Sequence, residues 1–488
     1  MFLNGNGITV IQGVLAFLYL ITILSICLMI VFENRNPVKT LSWLLVIIFI
    51  PVAGVVLYVV FGRSYRKQKI YSRKSLADSV RLAEHVTRQM VTLPTVLAEE
   101  SEDVRDKAHL IRLMLKNNRS LLTLDNSIRL LDSGTETFPA MREAITSARE
   151  YIHLEFYRIE PDMLGTEFKE ILKGKAAQGV KVRVIFDDVG SWNIGKSYLR
   201  EMRNAGVQIY PFMPVRFPSF ASKINYRNHR KILVVDGMTG FVGGLNLADK
   251  YLHGLPDLGP WKDTHLKLEG ESVAALDSVF ISDWNFVSNE SLVPDSSLHR
   301  YRKTGNRCLV QVASSGPDTD WATIMQVYFS AIATARSSIY LTSPYFSPDE
   351  SMLTALKTAA LSGVDVRMIF PRYSDSVIAT WNTRSYISEL LEAGVRIYLF
   401  EKGFIHSKYL LVDNIFASVG SPNVDVRSFD LDFEVTALVY DHGFAEQLGS
   451  LFSEDMKGCT EITAGDWEKR RRRDRQKESL ARMFGPLY

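Results

Sequence analysis

Cysteine is scarce in this sequence, with only three among 488 residues. Cys27 lies in an apolar run, and Cys308 and Cys459 are far apart and have no histidine or cysteine neighbours. This distribution offers neither a zinc-binding spacing nor a disulfide framework, and it fits a catalytic body kept in a reducing compartment. A clear cluster of carboxylates for a divalent cation is also lacking, so we expect no metal and no other cofactor.

Excess charge is the second thing that the sequence lacks, because its formal net charge is only +3. No broad basic stripe with interleaved aromatic residues runs along the body, which argues against a nuclease or any other nucleic-acid partner. A hydrophobic content of 47% and a charged fraction of 23% describe a folded protein. A chain of this length is expected to form two or three units.

Two long uncharged runs stand near the N-terminus, at residues 8–32 and 41–61. Each is long enough to cross the hydrocarbon core of a bilayer as a helix, which takes about 20 residues. A cleavable signal peptide is disfavoured because residues 1–7 carry no basic side chain and a second run follows the first. We therefore predict that residues 1–62 form a transmembrane hairpin in the cell membrane.

The charges that flank the two runs predict the orientation of this hairpin. Loop 33–40 carries two cations, whereas a larger group follows the second run before the first acid. This group consists of Arg63, Arg66, Lys67, Lys69, Arg73 and Lys74. By the positive-inside bias the body is cytoplasmic, and these cations are expected to lie at anionic lipid headgroups. Residues 63–125 are predicted to be a basic, helical linker.

A His-x-Lys-x-x-x-x-Asp motif occurs twice in the body, and we expect the fold to bring its two copies together. The candidate catalytic residues of the two copies are His229, Lys231, Asp236, His406, Lys408 and Asp413. An asparagine follows each histidine by 17 residues, at Asn246 and Asn423. None of the other histidines has Lys and Asp at these distances.

Further matches extend the repeat over most of the body. Residues 179–186 match 363–370, and residues 205–210 match 393–398. Each half is predicted to run strand, helix, strand, helix, strand and then the motif strand, which indicates an α/β fold with an internal duplication. We assign the halves to 126–295 and 296–465. The first half has a longer segment before its motif, 211–228, which is either a packed surface loop or an apolar lip that dips toward lipid.

The motif residues suit the chemistry of a phosphodiester. Alternation along a strand places the histidine and the lysine of each motif on one face. An uncompensated lysine inside a fold is costly, so its partner is expected to be an anionic ligand. Asn246 and Asn423 offer further donors to phosphate oxygens, and two imidazoles can supply a nucleophile and a general acid. Cleavage would then pass through a covalent phosphohistidine.

The paired motifs, with Gly-Gly-x-Asn at 243–246 and Gly-Ser-x-Asn at 420–423, resemble the phospholipase D superfamily. Together with segments 228–231 and 261–265 and the N-terminal hairpin, they make the chain similar to the bacterial cardiolipin synthases over nearly its whole length. The resemblance implies two phospholipase D-like α/β/α sandwich halves related by a pseudo-twofold axis. It also implies that two phosphatidylglycerol molecules are converted to cardiolipin and glycerol.

The resemblance further implies roles for individual residues. His229 would be the nucleophile and His406 the acid, with the two motif lysines on the phosphate. Glu434, 28 residues after His406, matches the carboxylate that orients the imidazole of the other half, and Asp263 is its candidate counterpart at a spacing of 34. Ser421 offers a hydroxyl where the first half has a glycine. The two motif aspartates are expected to hold structure rather than to touch substrate.

Two other functions stay open. A hydrolytic membrane phospholipase D that releases phosphatidic acid differs only in whether water or a glycerol headgroup reaches the intermediate. A membrane scaffold with an inactive site is disfavoured because both motifs are intact. The basic tail, 466–488, is interpreted either as a solvated helix face or as a contact with anionic membrane lipid.

Overall fold

The computed structural model describes residues 5–33, 37–58, 76–215, 225–293, 301–319 and 321–485. The chain divides into two compact units, residues 1–69 with 215–225 and residues 70–214 with 226–488. Both copies of the His-Lys motif therefore lie in the second unit. The boundaries that we assigned at 62, 125, 295 and 465 stay predictions.

Three helices form the described part of the first unit: α1 (Gly5–Glu33), α2 (Pro37–Phe49) and α3 (Pro51–Leu57). The second predicted apolar run is therefore divided between two helices. Pro51 is the first residue of α3, where its missing N–H costs nothing, and Ile50 before it leaves the helical backbone conformation. Inside this unit Ile30, Ile47 and Tyr58 bury their side chains together.

The structure does not show the predicted pair of membrane spans. Among the helices within the described ranges, none combines the length and the apolar character that crossing a bilayer requires. The cations between residues 63 and 74, on which the predicted orientation rests, lie outside the described residues.

The second unit contains helices α4 to α19 and strands β1 to β19. Its helices are α4 (Leu76–Ala98), α5 (Glu102–Asp106), α6 (Ala108–Asn118), α7 (Gly134–Ser147), α8 (Met163–Ala177), α9 (Lys196–Asn204), α10 (Lys250–His253), α11 (Ser272–Ser288), α12 (Thr323–Ala333), α13 (Glu350–Leu361), α14 (Val377–Ser385), α15 (Ile387–Glu392), α16 (Val426–Asp430), α17 (His442–Met456), α18 (Ala464–Glu468) and α19 (Arg472–Phe484). Its strands are β1 (Thr123–Leu131), β2 (Tyr151–Phe156), β3 (Lys181–Asp187), β4 (Gln208–Phe212), β5 (Lys231–Val235), β6 (Thr239–Gly243), β7 (Trp261–Lys262), β8 (His265–Gly270), β9 (Arg307–Ser315), β10 (Ser338–Thr342), β11 (Phe346–Ser347), β12 (Asp365–Pro371), β13 (Arg396–Phe400), β14 (Phe404–Ile405), β15 (Tyr409–Val412), β16 (Phe416–Gly420), β17 (Val424–Asp425), β18 (Glu434–Tyr440) and β19 (Cys459–Ile462).

Fifteen strands form one continuous mixed sheet in the order β19-β13-β12-β10-β15-β16-β18-β9-β1-β8-β6-β5-β2-β3-β4. From β1 outward, the strands are antiparallel as far as β2, and β2, β3 and β4 are parallel. From β9 outward, the strands are antiparallel as far as β10, and β10, β12 and β13 are parallel. The two arrangements are the same, apart from the extra edge strand β19. The predicted α/β class and the internal duplication are confirmed.

The two halves join where β1 pairs with β9, through Thr123 opposite Val310 and Asp125 opposite Arg307, with a register shift between them. Strand β1 begins at Thr123, in the segment that we predicted to be linker. The sheet is therefore continuous through the centre of the second unit, and the halves do not fold as separate closed sheets.

The two motif strands, β5 and β15, are buried along their whole length because each lies between two neighbours in the sheet. Alternate residues of the two strands, Leu233 and Val235 in β5 and Leu410 and Val412 in β15, belong to two hydrophobic cores. The core of the first half joins α7, α8 and α9 to β2–β5, and that of the second half joins α12 and α13 to β10, β12, β13 and β15. Helices α4 and α6 pack into the second core. A buried strand of this kind is a rigid support for the residues at its end.

The described part of the C-terminal tail packs on the second unit. Trp467 is buried, Arg470 binds Glu478 at 3.0 Å, and α19 packs against α14. Most of the predicted apolar lip, residues 216–224, lies outside the described residues.

Candidate active site

Each motif histidine lies just before its buried strand and is tied by its backbone to the other half. The N–H of His229 donates to the carbonyl of Phe433 at 2.9 Å, and the N–H of His406 donates to the carbonyl of Lys262 at 2.6 Å. Both imidazoles line one cavity of about 280 Å³. The fold thus brings the two copies of the motif to a single site.

Each imidazole also contacts a buried carboxylate from the other half. Nδ1 of His229 lies 2.9 Å and 3.1 Å from the two carboxylate oxygens of Glu434. Nδ1 of His406 lies 2.6 Å from Oδ2 of Asp263. With Nδ1 facing a carboxylate, the neutral imidazole carries its proton on Nδ1 and keeps a lone pair on Nε2.

Glu434 and Asp263 occupy equivalent positions in the sheet, although their distances along the chain from the motif histidines differ. Gly420 pairs with Thr436 in one half and Gly243 with His265 in the other, and each carboxylate lies two residues before the strand residue in that pair. The longer spacing in the first half is taken up by the segment around α10. The register of the sheet, which sequence spacing does not give, establishes the equivalence.

Gly244 follows β6 and Ser421 follows β16, and each suits the length of the acid beside it. The hydroxyl of Ser421 donates to the carboxylate of Glu434 and accepts the backbone N–H of Val435 at 3.0 Å. In the first half, a Cβ at Gly244 would collide with the carboxylate of Asp263. Glycine is therefore required beside the shorter acid, whereas a serine hydroxyl fits beside the longer one.

The two motif lysines are fully buried and do not line the cavity. Nζ of Lys231 donates to the carbonyl of His229 at 2.6 Å, and Nζ of Lys408 donates to the carbonyl of His406 at 2.5 Å. Lys408 also lies 3.8 Å from Asp263, whereas no described carboxylate lies within 4.0 Å of Lys231. Burial lowers the pKa of Lys231 to about 7 and that of Lys408 to about 8. Each amine would gain from an anion placed beside its histidine.

Burial also shifts the pKa values of the two histidines and of Glu434. It lowers the pKa of His229 and of His406 well below the usual range, and the adjacent motif lysine is the second cause in each case. Burial raises the pKa of Glu434 to about 7, against the opposing effects of Lys231 and the Ser421 hydroxyl. These shifts favour the neutral imidazole, which is the form that can act as a nucleophile.

The two motif aspartates do not line the cavity, and a catalytic role for them stays a prediction. The carboxylate of Asp236 accepts the backbone N–H groups of residues 149–151 at 2.7–2.8 Å. The carboxylate of Asp413 accepts those of residues 336–338 and binds Lys107 at 2.5 Å. An acid five residues after the motif lysine lies past the far end of the strand. There its carboxylate binds backbone N–H groups at the start of the neighbouring strand.

The two motif asparagines do line the cavity. Oδ1 of Asn246 accepts the backbone N–H of Arg158 at 3.1 Å, and Nδ2 donates to the hydroxyl of Tyr251 at 2.8 Å. The side-chain oxygen of Asn423 is buried and has no partner among the described residues. Asn246 therefore shapes the wall, while Asn423 has an amide oxygen that can still accept a hydrogen bond.

Several further cavity residues were missed by the sequence analysis. They are mostly aromatic or charged, and they include Tyr157, Arg158, Arg227, Lys250, Tyr251, Tyr345, Asp375, Asp425, Arg427 and Asp432. Most of them lie in loops that share no spacing with a motif. Lys250 and Arg427 are exceptions, because each follows its motif asparagine by four residues, and that repeat was an available signal.

The arrangement offers two imidazoles at one cavity, a buried acid for each and a buried lysine close to each. Such a set can bind phosphodiester oxygens, attack phosphorus with one imidazole and protonate the leaving oxygen with the other. Within the described ranges, no group of three or more His, Cys, Asp or Glu side chains is placed to hold a metal ion.

The fold resembles a solved structure of known architecture. The crystal structure of phosphatidylserine synthase from Haemophilus influenzae matches with a TM-score of 0.59 at 16% sequence identity, and the match covers 79% of this chain and 98% of that one. At this identity the likeness concerns the fold alone.

Sequence comparisons reach further. A family model described as cardiolipin synthase, PLD-like domain, matches residues 141–284 and 328–456, and one described as phospholipase D-nuclease N-terminal matches residues 15–63. Cardiolipin synthase 2 of Bacillus cereus is 42% identical over 459 residues, covering 93% of this chain and 88% of that protein. The major cardiolipin synthase ClsA of Bacillus subtilis is 38% identical over 483 residues, covering 98% and 99%. The chain therefore belongs to the cardiolipin synthase family with PLD-like domains.

Proposed function

We propose that this enzyme transfers a phosphatidyl group from one phosphatidylglycerol to a glycerol hydroxyl of another, which yields cardiolipin and free glycerol. One observation carries the proposal: Nδ1 of each cavity histidine contacts a buried carboxylate that belongs to the other half of the sheet. Membership of the cardiolipin synthase family supports phospholipid substrates and a phosphatidyltransferase activity.

His229 is the nucleophile in this proposal. No described residue binds Nε2 of His229, whereas Nζ of Lys408 lies 2.8 Å from Nδ1 and 3.3 Å from Nε2 of His406. Nε2 of His229 attacks the phosphorus of the donor, so that an N–P bond forms and the P–O bond to glycerol breaks. His406, whose protonated form is favoured by the negative phosphodiester, gives its proton to the departing glycerol oxygen. The phosphatidyl group is then held as a phosphohistidine.

The second step reverses the first with a different alcohol. His406 removes the proton from a glycerol hydroxyl of the second phosphatidylglycerol, whose oxygen attacks phosphorus. The O–P bond of cardiolipin forms as the N–P bond breaks, which restores neutral His229 and protonated His406. The amines of Lys231 and Lys408, held on the carbonyls of the two histidines, place positive charge beside the reacting phosphate in both steps.

The function is tested by incubating the purified full chain with phosphatidylglycerol in detergent micelles and analysing lipids and glycerol. We expect cardiolipin and glycerol in equal amounts. Phosphatidic acid as the sole lipid product would instead identify the hydrolytic phospholipase D that the sequence leaves open.

The division of roles is tested with His229→Ala and His406→Ala. Both variants are expected to lose cardiolipin synthesis by at least about 1000-fold, as for other residues that act as one catalytic unit. With phosphorus-labelled phosphatidylglycerol and alkaline quenching, His406→Ala should still accumulate some labelled protein and His229→Ala none. Full activity in either variant would contradict the two-histidine mechanism.

We also propose that the first unit attaches the enzyme to the cell membrane as a hairpin of two spans, with the second unit in the cytoplasm. The uncharged runs at 8–32 and 41–61, the family match at 15–63 and the excess of cations after the second run support this. Large apolar side chains on the described helices of this unit are exposed, among them Phe17, Leu24, Phe32 and Phe49.

The topology can be tested by cysteine labelling in intact cells, after the three native cysteines are replaced by serine. Asn36→Cys should react with a membrane-impermeant maleimide, whereas Lys69→Cys should react only after permeabilisation. The opposite pattern would show that the second unit faces outward.

A further inference from the structure

The cations that line the cavity differ in whether a carboxylate lies close enough to neutralise their charge. They are Arg158, Arg227, Lys250 and Arg427. Each arginine has a carboxylate within ion-pair distance, at 3.8 Å for Arg158 and Glu160, 3.4 Å for Arg227 and Asp187, and 3.1 Å for Arg427 and Asp432. No carboxylate among the described residues lies within 4.0 Å of Lys250. Lys250 is therefore the cation of this set that lacks a protein partner of opposite charge.

Lys250 and Arg427 occupy corresponding positions of the duplication, each four residues after its motif asparagine. In the second half Asp432, two residues before Glu434, pairs with Arg427, whereas the residue two before Asp263 in the first half is Trp261, which carries no charge. The same position thus bears a neutralised cation in one half and an uncompensated one in the other. An uncompensated, partly buried amine gains from an anion, and the wall of a cavity lets a ligand supply it.

The surroundings of Lys250 place this charge on the His406 side of the cavity. Nζ of Lys250 lies 4.7 Å from the ring centre of Trp261 and 5.1 Å from that of Tyr251. The Trp261 ring lies in turn 4.9 Å from the imidazole of His406. The two acids that interact electrostatically with Lys250 are already engaged, since Asp375 accepts the hydroxyl of Tyr345 at 2.5 Å and Glu160 lies beside Arg158.

We propose that Lys250 binds the phosphodiester of the acceptor lipid, which distinguishes an anionic phospholipid acceptor from water or a neutral alcohol. The inference rests on the proposed transfer reaction and names the part of the site that selects its second substrate. In the product, two phosphodiesters share one three-carbon glycerol. When His406 takes the proton of the attacking hydroxyl, the acceptor's own phosphate must lie close by on the same side of the cavity, where Lys250 supplies the charge.

The test compares two reactions that share a donor but differ in the acceptor. Cardiolipin synthesis uses an anionic acceptor, whereas exchange of the phosphatidylglycerol headgroup with labelled glycerol uses a neutral one. In the full chain in detergent micelles, Lys250→Met should lower cardiolipin synthesis at subsaturating phosphatidylglycerol by at least about tenfold, the value of one charged hydrogen bond. Glycerol exchange should fall by no more than about threefold, which corresponds to less than about 0.7 kcal/mol.

Two variants complete the design. Lys250→Arg keeps the positive charge and should retain cardiolipin synthesis within about threefold of the unaltered enzyme. Lys173→Met removes a lysine that pairs with Glu170 away from the cavity and should change neither reaction.

The outcomes separate the inference from the proposed function. Equal loss of both reactions in Lys250→Met, or loss of neither, would overturn the acceptor assignment. Inhibition of exchange by millimolar inorganic phosphate in the unaltered enzyme but not in Lys250→Met, without a selective loss of cardiolipin, would indicate a free-phosphate site and would also overturn it. If the unaltered enzyme catalyses neither reaction, the proposed function itself fails.

Discussion

One methylene group distinguishes the two acids that hold the cavity histidines. In the first half Asp263 reaches His406 only because Gly244 leaves room for its carboxylate. In the second half Glu434 reaches further, and the hydroxyl of Ser421 binds it. Gly244 is therefore matched to Asp263, and Ser421 to Glu434. A change to either member of a pair should displace the histidine that the acid of that pair contacts.

This matching makes Gly244→Ser an informative substitution, although it copies the Gly-Ser pair of the second half. The new Cβ would push the carboxylate of Asp263 away from His406, and a misplacement of about 1 Å can cost roughly 100-fold in rate. We expect cardiolipin synthesis to fall to that extent, measured as kcat/KM for phosphatidylglycerol. Ser421→Ala in the other half serves as the comparison, and it should cost less because the Glu434 contact with His229 persists. Unchanged kinetics in Gly244→Ser would show that the space around Asp263 is not limiting.

The buried lysines predict how activity depends on pH. An amine is charged below its pKa, and the pKa of Lys231 is lowered to about 7, so its charge is present below pH 7 and is lost as the pH rises through that value. We expect kcat/KM to decline on the alkaline side from about pH 7. Lys231→Arg keeps its charge at all these pH values and should move the decline toward about 8, where Lys408 loses its proton. A decline at the same pH in both enzymes would assign it to another group.

At the scale of elements, the two ends of each motif strand have different functions. One end presents the histidine to the cavity, and the other ends in an aspartate whose backbone has a positive φ, 53° at Asp236 and 55° at Asp413. There the carboxylate caps the backbone N–H groups at the start of the neighbouring strand. The motif therefore combines a chemical element with a structural one that holds two strands in register.

Asp236→Ala should lower stability without altering the chemistry. Loss of a carboxylate that accepts three backbone N–H groups is expected to cost about 2–3 kcal/mol, and a detergent-solubilised sample should melt several degrees earlier. Asp236→Asn keeps one acceptor oxygen and tolerates the positive φ, so it should cost less. Activity per folded molecule should be the same in both variants, and a loss comparable to that of His229→Ala would indicate a direct part in catalysis.

The sequence was informative where elements repeat a local spacing. The alternation of strands and helices and the two histidines follow from distances along the chain, whereas the candidate acids Glu434 and Asp263 come from the family resemblance. The antiparallel contact of β1 with β9 could not be predicted, because it joins strands that are far apart and carry no motif. The interruption at Pro51 could be suspected, since proline lacks an N–H, but a membrane helix tolerates proline and the sequence does not decide between a kink and a break.

At the scale of the whole molecule, the two halves exchange partners across the cavity. Glu434 of the second half supports His229, and Asp263 of the first half supports His406. The backbone N–H groups of both histidines are likewise bound by carbonyls of the opposite half. Neither half contains a complete histidine-acid pair, so the site exists only when the single sheet is whole.

This exchange predicts that a change in one half impairs the histidine of the other. Glu434→Gln should slow attack by His229, and Asp263→Asn should slow proton donation by His406, each by at least about 100-fold when the acid no longer fixes the tautomer. A phosphatidyl ester of p-nitrophenol needs no protonation of its leaving group, so it should largely restore formation of the phosphoenzyme in Asp263→Asn. It should not do so in Glu434→Gln. Rescue of Glu434→Gln instead would reverse the roles of the two histidines.

The continuous sheet also has a consequence for how such a site can change over generations. If two identical subunits formed the same cavity, every mutation would appear on both sides, and the two histidines would remain equivalent. Because one gene encodes both halves here, a single codon can alter one side alone. The differences between Gly244 and Ser421, between Asp263 and Glu434, and between Trp261 and Asp432 are of this kind. A fused duplication therefore allows selection to change the surroundings of each histidine separately.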